Sequence, residues 1–248
     1  MVDKRQRLIG VIDMHIHSKP DVRERRSSDL ELALEARRLG LRAIVIKSHV
    51  TPTTGRAWLT GRAVGGVRVF GGIALNREVG GLNPYAVSTA IAMGGKIVWL
   101  PTIWAYNDGT RGKGLDDGIR VLDGYGNPVP ELIEILRMIA DADIQLGMGH
   151  QSFREIYAVA KCARELGVRK IVVNHPEWPT VDISFEEQKE LLQFGVYFER
   201  TFERRPLGQT KYVSNFDINL EAIKEIGWES TIISTDGGQT DAPFWGKP

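Results

Sequence analysis

Five histidines and one aspartate stand where short apolar runs end. The runs are Asp13-Met14-His15-Ile16-His17, Ile46-Lys47-Ser48-His49, Leu146-Gly147-Met148-Gly149-His150, Val173-Asn174-His175 and Ile232-Ile233-Ser234-Thr235-Asp236. These are all the histidines of the chain. Imidazoles and carboxylates are the donors that divalent transition metals take, and a cation gathered by several strand ends would acidify a water or polarise a carbonyl. His15 and His17 are two apart on a predicted strand, so both project to one face and chelate with little rearrangement. Asp13 is expected beneath them, orienting an imidazole or supporting the ligands. Taken alone, the pair also reads as a polar strand end with two hydrogen-bonded histidines. His150, His175 and Asp236 at three further strand ends move the weight to a metal site. Asp236, before Gly237-Gly238, has the plainer reading of a helix N-cap.

Lys47 and His49 are likewise two apart and face one way. A lysine there holds an anionic group of a substrate or, with a depressed pKa, serves as nucleophile or base. The plainer reading is a surface lysine ending a strand. His49 is a further ligand or a substrate contact, and Glu199 on the predicted seventh strand is a candidate of the same kind. Asn76, Thr102, Gln151, Glu177 and Arg200 stand at strand ends as pocket-lining candidates, or satisfy the backbone of their own loops. Trp104 and Trp178 flank a planar substrate or pack within loops.

The elements that must position these groups alternate along the chain. Predicted strands run Leu8–His15, Leu41–Ser48, Val67–Leu75, Lys96–Pro101, Ile144–His150, Arg169–His175, Val196–Thr201 and Ser230–Asp236. Their nearly unbroken Val, Ile and Leu content suits parallel strands covered on both faces. Between them lie helices with readable starts: Ser28-x-x-Glu31, Ser152-x-x-Glu155 and Ser184-x-x-Glu187 fit capping boxes, and Asn83-Pro84 fits an N-cap with proline at the first position. Leu132, Ile135, Leu136 and Ile139 mark one buried helix face. Gly40, Gly167, Gly195 and Gly227 sit in tight helix-to-strand turns, so the opposite, longer-looped rim is where function belongs. About eight units predict an α/β fold, a (β/α)8 TIM-type barrel in one domain over 1–248, its eighth helix short or absent. An open doubly wound sheet is the alternative, with little support for a dinucleotide site. The outer face of the first and last strands would then be apolar and bare, which predicts a homo-oligomer. The segment from Ile103 to Val129 reads as a mobile lid or an interaction loop.

In the order of its elements the chain resembles the amidohydrolase superfamily of metal-dependent barrels. The matching parts are His15-x-His17 on the first strand, His150 on the fifth, His175 on the sixth and Asp236 on the eighth. The resemblance implies a hydrolase in which His15, His17 and Asp236 hold one divalent cation, commonly zinc. His150 and His175 would hold a second cation or contact substrate, and Asp236 would take the proton of the attacking water. Catalysis would thus fall to Asp236, with Lys47 and His175 beside it. Members with two metals often bridge them by a carbamylated lysine or a glutamate of the fourth strand. Here that strand reads Ile97-Val98-Trp99-Leu100-Pro101-Thr102, with Lys96 at its wrong end. One or two cations per chain therefore remain open, with Lys47 or Glu199 as substitutes only if they reach the axis.

Size and charge agree with a small-molecule enzyme. The chain has 248 residues, a net charge of +1 and a single cysteine, so nucleic acid, an anionic membrane and an internal disulfide have no support. Cys162 reads as a small core residue. The charged runs Arg23-Glu24-Arg25-Arg26 and Glu203-Arg204-Arg205 read as solvated loops, with anion binding as a secondary role. No leader or membrane-length apolar run is evident, which makes the cytoplasm the expected compartment. The expected substrate is an amide, cyclic amide, lactone or phosphoester. The rival readings are a non-catalytic metal- or ligand-binding barrel serving as an oligomer subunit, and a metal-free phosphate-binding barrel.

Overall fold

The structure, a computed structural model, describes residues 8–108, 116–206 and 211–241. Strands and helices alternate in the order β1 (Ile12–His17), α1 (Asp29–Arg38), β2 (Ala43–Lys47), α2 (Thr54–Val64), β3 (Arg68–Phe70), β4 (Gly72–Ala74), α3 (Pro84–Ala92), β5 (Ile97–Trp99) and a single turn α4 (Tyr106–Asp108). There follow α5 (Pro130–Asp141), β6 (Gln145–Gly147), α6 (Phe153–Glu165), β7 (Lys170–Asn174), α7 (Phe185–Leu191), β8 (Tyr197–Thr201), β9 (Glu203–Arg204), β10 (Val213–Ser214), α8 (Phe216–Ile226) and β11 (Thr231–Ser234).

Strands β1-β2-β3 pair in parallel, as do β4-β5-β6-β7-β8-β11. β3 and β4 are halves of one strand parted at Gly71. Thr53 occupies the break: its amide donates to Gly72 O at 2.9 Å and its hydroxyl accepts from Gly72 N at 3.0 Å. The other seam is closed by main chain. Asp236 N donates to His15 O at 2.9 Å and His17 N to Gly237 O at 2.8 Å. The result is a closed eight-stranded parallel barrel with helices outside, the expected (β/α)8 architecture.

The local rules act as read. Ser28, Ser152 and Ser184 each cap a helix in a reciprocal box, and Asn83 caps α3. Leu132, Ile135, Leu136 and Ile139 of α5 are fully buried against the barrel, each contributing about 1.5–3 kcal/mol. Inside the barrel, Trp99 packs with Val45, Ala74 and Ile97. Gly147 makes room for it, since a Cβ there would lie 2.4 Å from the indole Cδ1.

Three expectations change. The first strand begins at Ile12 rather than Leu8, because Leu8–Gly10 turns back so that Gly10 N bonds Gly40 O at 2.9 Å. The antiparallel pair β9–β10, not foreseen, adds a short ribbon after β8. The segment 103–129 is no free lid in its described parts. Val121 is fully buried, and Asn107 Nδ2 donates to His150 O at 3.1 Å and Thr180 O at 2.8 Å; residues 109–115 lie outside the described residues. After β11 no helix forms through residue 241, and 242–248 lie outside the described residues. On the outer face, Ile12 is 39% and Ile233 59% exposed. Among the described residues no helix is long and apolar enough to cross a membrane.

Candidate metal centre

A β-bulge prepares the first strand. Asp13 pairs with Ile44 and Ile16 with Ile46, so Met14 and His15 together oppose Val45. Such an extra residue re-aims the side chains beside it, and here His15 and His17 both enter the barrel, ring centroids 5.3 Å apart. At the facing seam Asp236 adopts a positive φ of 50°. Its carboxylate Oδ1 lies 2.9 Å from His15 Nε2 and 3.1 Å from His17 Nε2. His175 also has a positive φ, 31°, held by its amide bonding Glu199 O at 2.7 Å. Left-handed backbone at a non-glycine residue costs about 1–3 kcal/mol and persists where the surroundings enforce it.

The five imidazoles form a closed ring. From His15 the path runs to His17, to His49 (4.8 Å, stacked), to His150 (6.2 Å), to His175 (5.0 Å) and back to His15 (6.1 Å). Lys47 reaches the centre: its Nζ is 3.0 Å from His15 Nε2 and 5.3 Å from the Trp99 ring below. All of these side chains are buried, and His17, Lys47, His49, His150, His175 and Asp236 line one cleft of about 390 Å³. That volume suits a small molecule.

Burial opposes charge throughout this cluster, and the carboxylates decide who keeps a proton. Burial and Lys47 work against the charge on His15, but Asp236 and Glu199 outweigh them and raise it to about 9. Burial and Arg25 push His17 down to about 3. Burial takes His49 and His175 well below the ordinary imidazole range, and lowers His150 and Lys47 as well. Burial would lift Glu199 and Asp236, yet His15 beside them outweighs it, leaving Glu199 at about 2 and Asp236 well below the usual carboxylate range. Without an ion, His15 holds its proton between two ionised carboxylates while the other four imidazoles are pushed toward the neutral form; a cation at Nε2 would replace that proton.

The donors fit a cation. One donor atom each from His15, His17 and Asp236 lies within 4.8 Å of the others. Ligands on tetrahedral zinc, with bonds of about 2.0–2.2 Å, stand about 3.3 Å apart. The observed 2.9 and 3.1 Å come close to that. Among the described residues, His17 Nδ1, His150 Nδ1 and His175 Nδ1 are buried without a hydrogen-bond partner. His15 is braced from behind: its Nδ1 is 3.1 Å from Glu199 Oε2, which also accepts from Asn174 Nδ2 at 2.6 Å.

Several predicted residues take other places. Glu199 neither bridges nor lines the cleft; it backs His15. Arg200, next on β8, points the opposite way by strand alternation. It pairs with Glu177 and donates to Gln188 Oε1 at 3.1 Å, so Arg200 and Glu177 leave the substrate list. Asn76 and Thr102 sit under His49, where Thr102 Oγ1 is 2.8 Å from His49 Nδ1 and accepts from Asn76 Nδ2 at 2.7 Å. Gln151 donates to Pro101 O at 2.8 Å, serving the backbone. Asp13 accepts from the Thr235 hydroxyl at 2.7 Å and amide at 3.2 Å, which fixes the strand end carrying Asp236. The fourth barrel strand places Trp99 inside and leaves Lys96 exposed.

Asn174 and Tyr212 had no signal in the sequence, whereas Trp178 was a candidate to flank the substrate. Asn174 orients Glu199, and its Oδ1 accepts from Gly149 N at 3.0 Å. Trp178 lines the cleft with its ring 5.0 Å from His175. Arg23, Arg25, Arg205 and Tyr212 form part of the cleft wall. The two charged runs were the only signal for these arginines.

Residues 10–199 match the model of a family described as "Family of unknown function (DUF6282)". Among curated proteins no sequence relative matches. The fold is similar to that of an amidohydrolase from Pseudomonas aeruginosa (14% identity, TM-score 0.63, covering 97% of this chain and 77% of the other). It is similar to the probable dipeptidase PvdM from Pseudomonas aeruginosa (11%, 0.66, 96% and 86%). A third likeness is to dipeptidase AC, described as a metallopeptidase (13%, 0.59, 95% and 87%). At such identities the likeness is one of fold alone.

Proposed function

Because this chain belongs to DUF6282, a family of unknown function, and is similar in fold to an amidohydrolase, we propose that it is a metal-dependent hydrolase of a small molecule. The scissile group is an amide, cyclic amide, lactone or phosphoester. The observation that carries this reading is the meeting of His15, His17 and Asp236 from opposite ends of the chain, at 2.9 and 3.1 Å. The names of the structural neighbours, an amidohydrolase and two dipeptidases, support hydrolysis.

His15 Nε2, His17 Nε2 and an Asp236 oxygen would hold the ion, zinc in our reading. When bound, such an ion lowers the pKa of water to about 7 and polarises a carbonyl or phosphoryl oxygen. Asp236 meets both imidazoles through Oδ1, so Oδ2 is the oxygen that takes the proton of the attacking water and returns it to the leaving group. Lys47 donates from Nζ to the substrate oxygen on which charge develops. His150 and His175 contact the substrate from the far side of the ring. Glu199 holds His15 with Nε2 turned to the ion.

The test is elemental analysis of the purified protein together with a hydrolase panel. His15→Ala, His17→Ala and Asp236→Ala should lose the metal and the activity while circular dichroism stays native. Lys47→Met should keep the metal and lose about 10²-fold in kcat, as for removal of one donor to a developing oxyanion. Metal retained at full occupancy in all three alanine variants overturns the assignment.

A further inference from the structure

Building on that reading, we propose that the substrate carries an oxyanion, a carboxylate or a phosphate, which docks on a guanidinium cluster formed by Arg23, Arg25 and Arg205. All three line the wall of the cleft that holds the imidazoles. Arg23 and Arg25 follow β1, and Arg205 follows β9, so two distant loops contribute.

Arg25 is the centre of the cluster. It is 5% exposed. Asp21 Oδ2 accepts from its Nε at 2.9 Å and Gln239 Oε1 from its Nη1 at 3.3 Å, which fixes the guanidinium plane. Among the described residues its Nη2 is buried with no hydrogen-bond partner. A buried cationic donor left unpaired is costly, and an incoming acceptor recovers that cost. Among the described residues the carboxylate bonded to Arg25 is Asp21, and that carboxylate also accepts from Arg23 N at 3.3 Å. Asp21 thus bonds the Arg25 guanidinium and meets Arg23 through its main-chain amide.

The surroundings agree. Burial, with the like charges of Arg25 and Arg205, lowers the pKa of Arg23, although Asp21 pulls the other way. Arg205 lies over the Tyr212 ring at 5.8 Å, and Tyr212 faces Trp178 at 6.2 Å, which gives the anion an aromatic border. The remaining acids of the cleft are Glu24, Asp108 and Asp241. Asp108 stands by His150 at 3.7 Å, and Asp241 faces Glu203 and Tyr212. Arg25 lines the same cleft as His17 and Lys47, so an anion held there shares the cleft with the reacting groups. Arginine forks match carboxylate and phosphate oxygens in pairs.

The probes are inorganic phosphate and acetate, titrated calorimetrically into zinc-loaded protein freed of excess zinc. One of the two should bind at one site per chain, and the better binder tells phosphate from carboxylate. Arg25→Met and Arg205→Met should each weaken it at least tenfold with zinc content unchanged. Arg25→Lys, which keeps the charge and loses the fork, should fall between. Arg205 is exposed, so its variant keeps the test open if Arg25→Met does not fold. Saturable binding of neither anion, or binding unchanged in both methionine variants, overturns the proposal. Anion binding lost in those variants from a wild-type protein that takes up no zinc would uphold this inference and sink the metal reading instead.

Discussion

Glu199 Oε2 lies 3.1 Å from His15 Nδ1, with both groups buried. An ion taking the place of the Nε2 proton would leave Nδ1 donating to Glu199 and Nε2 turned to Asp236's side of the site. Carboxylates in this position raise ligand basicity and fix ring orientation. Glu199→Gln is therefore expected to weaken zinc binding about tenfold. Competition with a chromophoric chelator measures this, and unchanged affinity would remove Glu199 from the site.

Gly238 is a second point of leverage. Its φ is +103°, and a Cβ there would fall 1.9 Å from His17 O. Gly238→Ala must move either the seam or the ligand strand, so it should cost at least about 1–3 kcal/mol of stability and loosen metal binding with it. Gly124→Ala, where a Cβ meets nothing within 4 Å, is the matched control and should change neither. Urea unfolding with parallel zinc titration reads both variants.

The pair Arg200–Glu177 gives a prediction of the opposite kind. Both lie away from the cleft, in contact with Gln188 of α7. Arg200→Met leaves a buried carboxylate without its cation, which costs about 3–5 kcal/mol. Metal content and KM per folded chain should not change. Native stability with a raised KM would return Arg200 to the substrate site.

Much of this arrangement was legible because it rests on local rules. Capping boxes, apolar runs and histidines at strand ends each have a short-range cause, and they sufficed to place His15, His17, His150, His175 and Asp236 on one rim. What failed was parity. At a strand end a shift of one residue turns a side chain from the barrel axis to the helix layer, so Glu199 and Arg200, adjacent in sequence, could not be told apart. Arg23 and Arg25 were hidden for another reason. Four charged residues in a row look solvated, and only the return of the chain at Asp236–Asp241 covers Arg25 and Arg26, while Arg23 stays exposed at the cleft wall. The bulge at Met14–His15 leaves no mark in composition at all.

The barrel seam has a consequence for how the protein matures. Thr235 and Asp13, 222 residues apart, share a hydrogen bond next to the Asp236–His15 contact. Shutting the barrel and completing the donor set are thus one event. Joining segments so distant is entropically slow, so a growing chain holds two histidines with no carboxylate to join them. Capture of the ion would then be the last act of folding, and zinc uptake in a refolding experiment would time the docking of the final strand.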